Sequence, residues 1–232
     1  MRRNNEPQLN GIDYAADIKA TYFPPGGDVS SLPDREDNSV IYMDISTKGG
    51  RELKTIPVTY SEPKLIGRLH FELRCDLVPI ACANFLSLIV NAKGIGPDGV
   101  KYGYKGCEVH RIVKNLLFQT GDLMGAKGHC SRSIYNEGGL FADENFIFRH
   151  TGPGCISMVG RGANANGSIF QVCFCRNEDM DEKYVVFGCI CDEHSLEVLS
   201  KINLYGTETG TPLEPLYISD CGIAYPVPIP SA

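Results

Sequence analysis

HRIVKNLLFQTGD, residues 110–122, carries two short apolar runs and closes on Gly-Asp. Runs of four to eight β-branched, aliphatic and aromatic residues bounded by Gly, Asn or Asp read as strands. The stretch also poses a problem. Arginine stays charged throughout the physiological range, and a lone charge is costly to bury. Arg111 therefore either marks a rim where the chain leaves solvent, paired to a carboxylate such as Glu108, or is held over a pocket to do chemistry.

Outward from this stretch the same texture recurs. VIYMDIS (40–46), LIGRLHFEL (65–73), KGCEVHRIV (105–113) and NLLFQTGD (115–122) are followed by CISMVG (155–160), SIFQVCFC (168–175), YVVFGCI (184–190) and PLYISDCGI (215–223). Two segments break it. In 79–91 a first-turn proline precedes Cys82, Phe85, Leu88 and Ile89, which fall on one helical stripe. In 193–204 Leu196, Leu199 and Ile202 make the stripe, with Asp192 to cap the helix and Gly206 to end it. Many short strands, two helices and no strand–helix alternation predict an antiparallel barrel or sandwich.

The bulk numbers bound the rest. At 232 residues, 43% hydrophobic and 22% charged, the chain can bury a sizeable core without staples. A formal charge of −6 argues against a nucleic-acid partner, because phosphate binding wants a basic face. The ten cysteines include no CxxC pair and read as small buried hydrophobes. His129, Cys130 and His150 give no metal-ligand spacing. Arg2 and Arg3 precede no apolar signal region, and no run approaches the roughly 20 residues of a membrane span. The expectation is a soluble, intracellular, cytoplasmic protein with reduced thiols, no metal and no membrane partner.

Residues 1–38, with PPGG at 24–27 and SSLPDREDNS at 30–39, read as a partly irregular N-terminal extension with a helical turn near 14–22. Residues 39–222 read as the barrel domain, interrupted by a long polar link at 47–64. Links of that length tend to be functional or mobile. Residues 223–232, with YPVPIPSA, read as an extended proline-rich tail.

Several short stretches then follow one another in a telling order. They are MDI near 43, GR and FEL within 67–73, CDLVP and ANF within 75–85, GYKG and HRI within 103–112, and QTGD at 119–122. SIY (133–135), FADENF (141–146), HTGPG and SM within 150–158, NGS (166–168), VVFG (185–188) and ISDCG (218–222) continue the series. On these the chain resembles the cyclophilins over 40–222. The resemblance implies an all-β dominated fold, a closed eight-stranded antiparallel β-barrel capped by two α-helices. It also implies catalysis of cis/trans isomerisation at X–Pro bonds of a proline-containing peptide, with no cofactor. Amide resonance sets a barrier of roughly 18–20 kcal/mol. A donor at the prolyl nitrogen stabilises the twisted state, in which that nitrogen regains its lone pair. In the family an arginine supplies the donor, and the matching residue is Arg111.

The peptide groove departs from the family. Gln119 matches, but the proline pocket's Phe, Met and Phe read Leu116, Leu117 and Gln171. SQFF reads Ser168-Ile169-Phe170-Gln171, and Ala-Asn-Ala reads Val159-Gly160-Arg161. A pocket-mouth Trp is replaced by Asp179 beside Met180, and a wall His by Tyr184. Leucine keeps apolarity but loses a flat stacking surface, and a buried amide must find partners. Two losses of roughly 1–2 kcal/mol each would remove most of the affinity for a proline ring. The missing Trp predicts weak binding of cyclosporin-type macrocycles. The resemblance therefore implies a divergent peptidyl-prolyl isomerase with weak or absent activity. The alternative is a catalytically silent module that binds peptides, or assembles into a homo-oligomer through the N-terminal extension and the 47–64 link. His110 reads as a structural hydrogen-bonder, since isomerisation needs no proton transfer.

Overall fold

Alternation in the first strand puts Ile41, Met43 and Ile45 on one face, and all three are fully buried. The structure, a computed structural model, describes residues 38–52, 59–96, 98–125 and 127–225. The helical turn expected near 14–22, the extension apart from Asn38, the middle of the link and the tail beyond Tyr225 lie outside the described residues.

The strands are β1 (Val40–Thr47), β2 (Gly50–Glu52), β3 (Thr59–Ser61), β4 (Leu65–Leu73), β5 (Arg111–Val113), β6 (Leu117–Thr120), β7 (Cys155–Met158), β8 (Phe170–Cys173), β9 (Val186–Ile190) and β10 (Leu216–Tyr225). The helices are α1 (Pro79–Ile89) and α2 (Glu193–Asn203). Eight strands form one antiparallel sheet in the order β10-β1-β4-β9-β7-β8-β6-β5. Among the described residues β2 and β3 pair only with each other, antiparallel, inside the polar link. The expected closed barrel is not a continuous ladder: among the described residues its edge strands, β5 and β10, do not pair. Residues 106–109 bridge that gap instead. Gly106 and Val109 donate to the carbonyls of Ile218 and Leu216, and Ile218 donates to that of Cys107.

Four rings make the centre of the core. Phe85 of α1 packs on Tyr104, Phe170 and Phe187 with centroids 4.9, 5.0 and 4.9 Å apart. Six of the ten cysteines, Cys82, Cys107, Cys130, Cys155, Cys173 and Cys189, are buried, as small hydrophobes should be. No helix among the described residues is long and apolar enough to cross a membrane.

α2 starts as expected, with Asp192 accepting from the Ser195 N–H at 2.7 Å. α1 starts differently. Val78 stands at its N-cap and has no side chain able to accept, so the orphan donors look outside the helix. Glu144, in the middle of FADENF, receives the Ile80 and Ala81 N–H groups on its two oxygens, each at 2.9 Å. Asn145 donates to the Leu77 carbonyl at 2.9 Å, and Asp143 holds Asn164 and Asn166. A carboxylate at a helix N-terminus also meets the positive end of the helix dipole. The motif is thus a remote cap that pins α1 to the loops around the sheet.

Glu144→Ala is expected to destabilise the fold by about 1–2 kcal/mol, the usual loss on removing a cap, with Glu144→Gln intermediate. Urea unfolding monitored by circular dichroism checks this. An unchanged midpoint for the alanine variant would show that the contact carries no stability.

Candidate functional site

Three ladder registers meet to build the site. Arg111 of β5 lies opposite Gln119 of β6, Gln119 opposite Gln171 of β8, and Gln171 opposite Ser157 of β7. Opposed residues in an antiparallel pair have Cβ atoms roughly 4.5–5.5 Å apart on one face, so the four side chains stand in one row.

The inner part of the row is a hydrogen-bonded relay. Gln119 Nε2 is 3.1 Å from Gln171 Oε1, and Gln171 Nε2 is 3.0 Å from Ser157 Oγ. Ser157 Oγ is 3.0 Å from His150 Nε2, and His150 Nδ1 is 3.0 Å from Asp181 Oδ1. The carboxylate at one end sets the direction of every bond. Asp181 can only accept, so His150 Nδ1 carries the proton and Nε2 receives the Ser157 hydroxyl. Ser157 then accepts from the Gln171 amide, whose carbonyl accepts from Gln119. Gln119 is left with its own carbonyl oxygen free of the relay. Gln171 is 1% exposed and His150 1% exposed. Burial pushes the His150 imidazole below its ordinary value, outweighing the pull of Asp181. The neutral ring that the relay requires is the form that burial favours.

The amide predicted to suffer in the pocket floor therefore has its partners, including Met180 Sδ at 3.4 Å from Nε2. Leu117, the first residue of β6, is 3% exposed, and Leu116 is half-buried in the turn before it. Asp179 is exposed on a short 3-10 turn, Glu178–Met180.

Beside the row opens a cleft of about 810 Å³. It is lined by Arg111, Gln119, Val159, Gly160, Arg161 and Ile169, six of the residues expected in the groove. Leu116, Leu117, Gln171, Asp179 and Met180 do not line it. Tyr184 lines a second hollow of about 540 Å³, which shares Gly160 with the first. The structure thus divides the expected groove in two: an open half around Arg111 and a filled half around Gln171.

Arg111 is exposed and, among the described residues, forms no ion pair. The rim reading fails on its named partner, because Glu108 is taken by Lys48. The arginine stem lies on a turn instead: Gly210, at φ +87°, leaves room for it where a Cβ would sit 3.0 Å from Arg111 Cγ and Nε. At the far end of β6, Gly121 has φ +89° and a Cβ there would meet the Ser168 carbonyl oxygen at 2.3 Å, so Gln-x-Gly-Asp needs its glycine. Asp122 next to it accepts from the backbone N–H groups of Gly128, His129 and Cys130 at 2.7, 2.8 and 3.2 Å. That carboxylate holds the loop carrying Lys127 and His129 at the cleft mouth.

The cleft also uses residues not foreseen from the sequence. His129, Ser131, Leu140 and the segment 209–212 line it. Arg161 reaches from the opposite wall to His129 Nδ1 at 2.6 Å. No local pattern marks these residues: the Asp122-bound loop brings His129, and Gly210 is held against the Arg111 strand, its carbonyl accepting from the Ile112 N–H. In His110, Nδ1 is buried with no hydrogen-bond partner among the described residues, and its imidazole too is pushed down by burial, against the opposing pull of Asp122 and of a backbone hydrogen bond with Glu108. No group of His, Cys, Asp or Glu able to hold a metal occurs among the described residues.

Residues 56–223 match the family described as cyclophilin type peptidyl-prolyl cis-trans isomerase/CLD. The chain belongs to that family. The match begins after β1, yet β1 is hydrogen-bonded on both sides, to β10 and to β4, so the cyclophilin sheet here depends on residues upstream of the matched segment.

His110 and His150 are held neutral in the folded cyclophilin domain and titrate near 6.5 once unfolded. Their contribution is complete above that value and is lost as pH falls through it, because the unfolded chain then binds more protons. The unfolding free energy from urea titrations is expected to fall between pH 7 and pH 5, by at most about 1.4 kcal/mol per pH unit for each histidine. His150→Gln should flatten the slope. A variant slope equal to the native one would mean that His150 is not the neutral link.

Proposed function

We propose that this cyclophilin binds proline-containing peptide segments along the cleft beside Arg111 and turns them over slowly or not at all. The observation that carries this reading is Gln171. The family's proline pocket is floored by an aromatic ring, whereas Gln171 is a buried amide with both ends engaged, by Gln119 and by Ser157. The catalytic donor is better placed. Arg111 is exposed at the cleft without a competing carboxylate among the described residues, and Gln119 stands beside it in register.

In this reading the Arg111 guanidinium donates to the prolyl nitrogen as the X–Pro bond twists and the nitrogen becomes a better acceptor. A charge-assisted bond contributes roughly 1.5–3 kcal/mol, which is about one to two orders of magnitude in rate when the bond forms only in the transition state. The remaining acceleration would come from seating the ring in an apolar, desolvated pocket, and here the amide floor weakens that contribution. Asp179, exposed where an indole would stand, offers no flat face to a cyclosporin-type macrocycle.

Exchange NMR on a short Ala-Pro peptide tests the proposal. Native protein at high concentration should accelerate exchange by no more than about two orders of magnitude, and Arg111→Ala should abolish the acceleration. Acceleration that survives in Arg111→Ala would remove the arginine from the mechanism. Chemical-shift perturbation at the cleft without faster exchange would leave binding as the function.

A further inference from the structure

The cleft has a charge that the chain does not. The full sequence carries a formal charge of −6, yet the cations at the cleft, Arg111, Lys127, Arg132 and Arg161, face a single carboxylate, Glu108. Two of these five charges are already compensated: Glu108 by Lys48, and Arg132 by Asp98 at 2.9 Å. Arg111, Lys127 and Arg161 are exposed and form no ion pair among the described residues. Arg161 instead meets His129, at its ring Nδ1. Elsewhere many basic side chains do find carboxylates, as Arg68 does on Asp44 and Lys105 on Asp220. Lys64, Lys93, Lys101, Lys114, Lys183 and Lys201 also form no ion pair among the described residues, so what sets Arg111, Lys127 and Arg161 apart is that all three line one concavity. A cleft lined by one sign of charge concentrates its field and raises the local concentration of the opposite sign.

Below the cations the walls are apolar, with Val159, Ile169, Leu140 and Pro212. A cleft of about 810 Å³ admits a few residues of peptide. We infer that the preferred ligand of this cleft is a peptide segment bearing carboxylates next to its proline, with Lys127 and Arg161 selecting the acid. This deepens the proposed function and rests on it for the proline alone. Lys127 rides on the loop fixed by Asp122, and Arg161, from the loop after β7, reaches that same loop at His129. Single exposed ion pairs are weak, so the selection is modest and depends on ionic strength.

Fluorescence anisotropy with three labelled hexapeptides tests this: Glu-Glu-Ala-Pro-Glu-Glu, its all-Gln counterpart, and the acidic peptide with Ala in place of Pro. The native chain should bind the acidic proline peptide roughly three- to tenfold more tightly than the Gln peptide at low salt, and the ratio should approach one at 0.5 M salt. The ratio should fall in Lys127→Gln and in Arg161→Gln, and invert in Lys127→Glu. Because each ratio is internal to one variant, a general loss of affinity does not disturb it. A native ratio of one, with both proline peptides bound, would overturn the acid preference and leave proline binding standing. Equal binding of the acidic peptides with and without proline would keep the preference and overturn the proline reading. Binding of a short single-stranded oligonucleotide as tightly as the acidic peptide would overturn peptide selectivity, and no binding of any probe would overturn both readings.

Discussion

Arg111, Gln119, Gln171 and Ser157 share a row only because the registers of three antiparallel ladders agree. In such ladders a slip of one residue turns a strand's side chains to the opposite face. The aromatic cluster supplies the restraint. Phe170, one residue before Gln171, is locked edge-on to Phe85 inside the sheet, so Gln171 must point the other way. Phe118 is fully buried and fixes Gln119 in the same manner. The core thus positions the site through parity: what packs inward decides what stands outward.

That parity places a carboxamide where it is nine-tenths or more buried, and a buried amide has only two outcomes. Unpaired, it costs about 1–3 kcal/mol; paired in a chain of bonds, it becomes rigid. The second holds here, because Asp181 anchors the chain and His150 is neutral. The rigidity extends to Gln119, the member that reaches the cleft. The polar floor is thus more than an aromatic lost: it orients the neighbour of Arg111.

Strands and helices were legible in the sequence because their signals are local. The stripes Cys82–Phe85–Leu88 and Leu196–Leu199–Ile202 are buried as read, and Asp192 caps as read. The cap of α1 was not legible, since Glu144 lies 64 residues from Ile80 and only the fold joins them. The same holds for Gln171. Its chemistry said that it needed partners, but Ser157 and His150 come from another strand and the loop before it. The resemblance names the groove residues as one set; that only part of the set lines the cleft was not legible, because it depends on which side of one row each residue falls.

The division bears on how a proline could be held. To seat a ring where Gln171 lies, the protein must break two hydrogen bonds of the relay and leave Ser157 and Gln119 without their partner, at about 1–3 kcal/mol for each group left unsatisfied. Burying an apolar side chain of proline's size returns roughly 1.5–3 kcal/mol. The exchange is no better than even, so the filled half gives a ligand little reason to enter. The open half demands no such rupture. Its apolar walls and unmatched cations, Arg111 among them, are already exposed to a peptide, and Gln119 lies between Arg111 and the filled half. Affinity is therefore expected to come from the flanks of the peptide rather than from the ring. Binding drawn from the flanks would be felt in ground and transition state alike, which does not raise turnover.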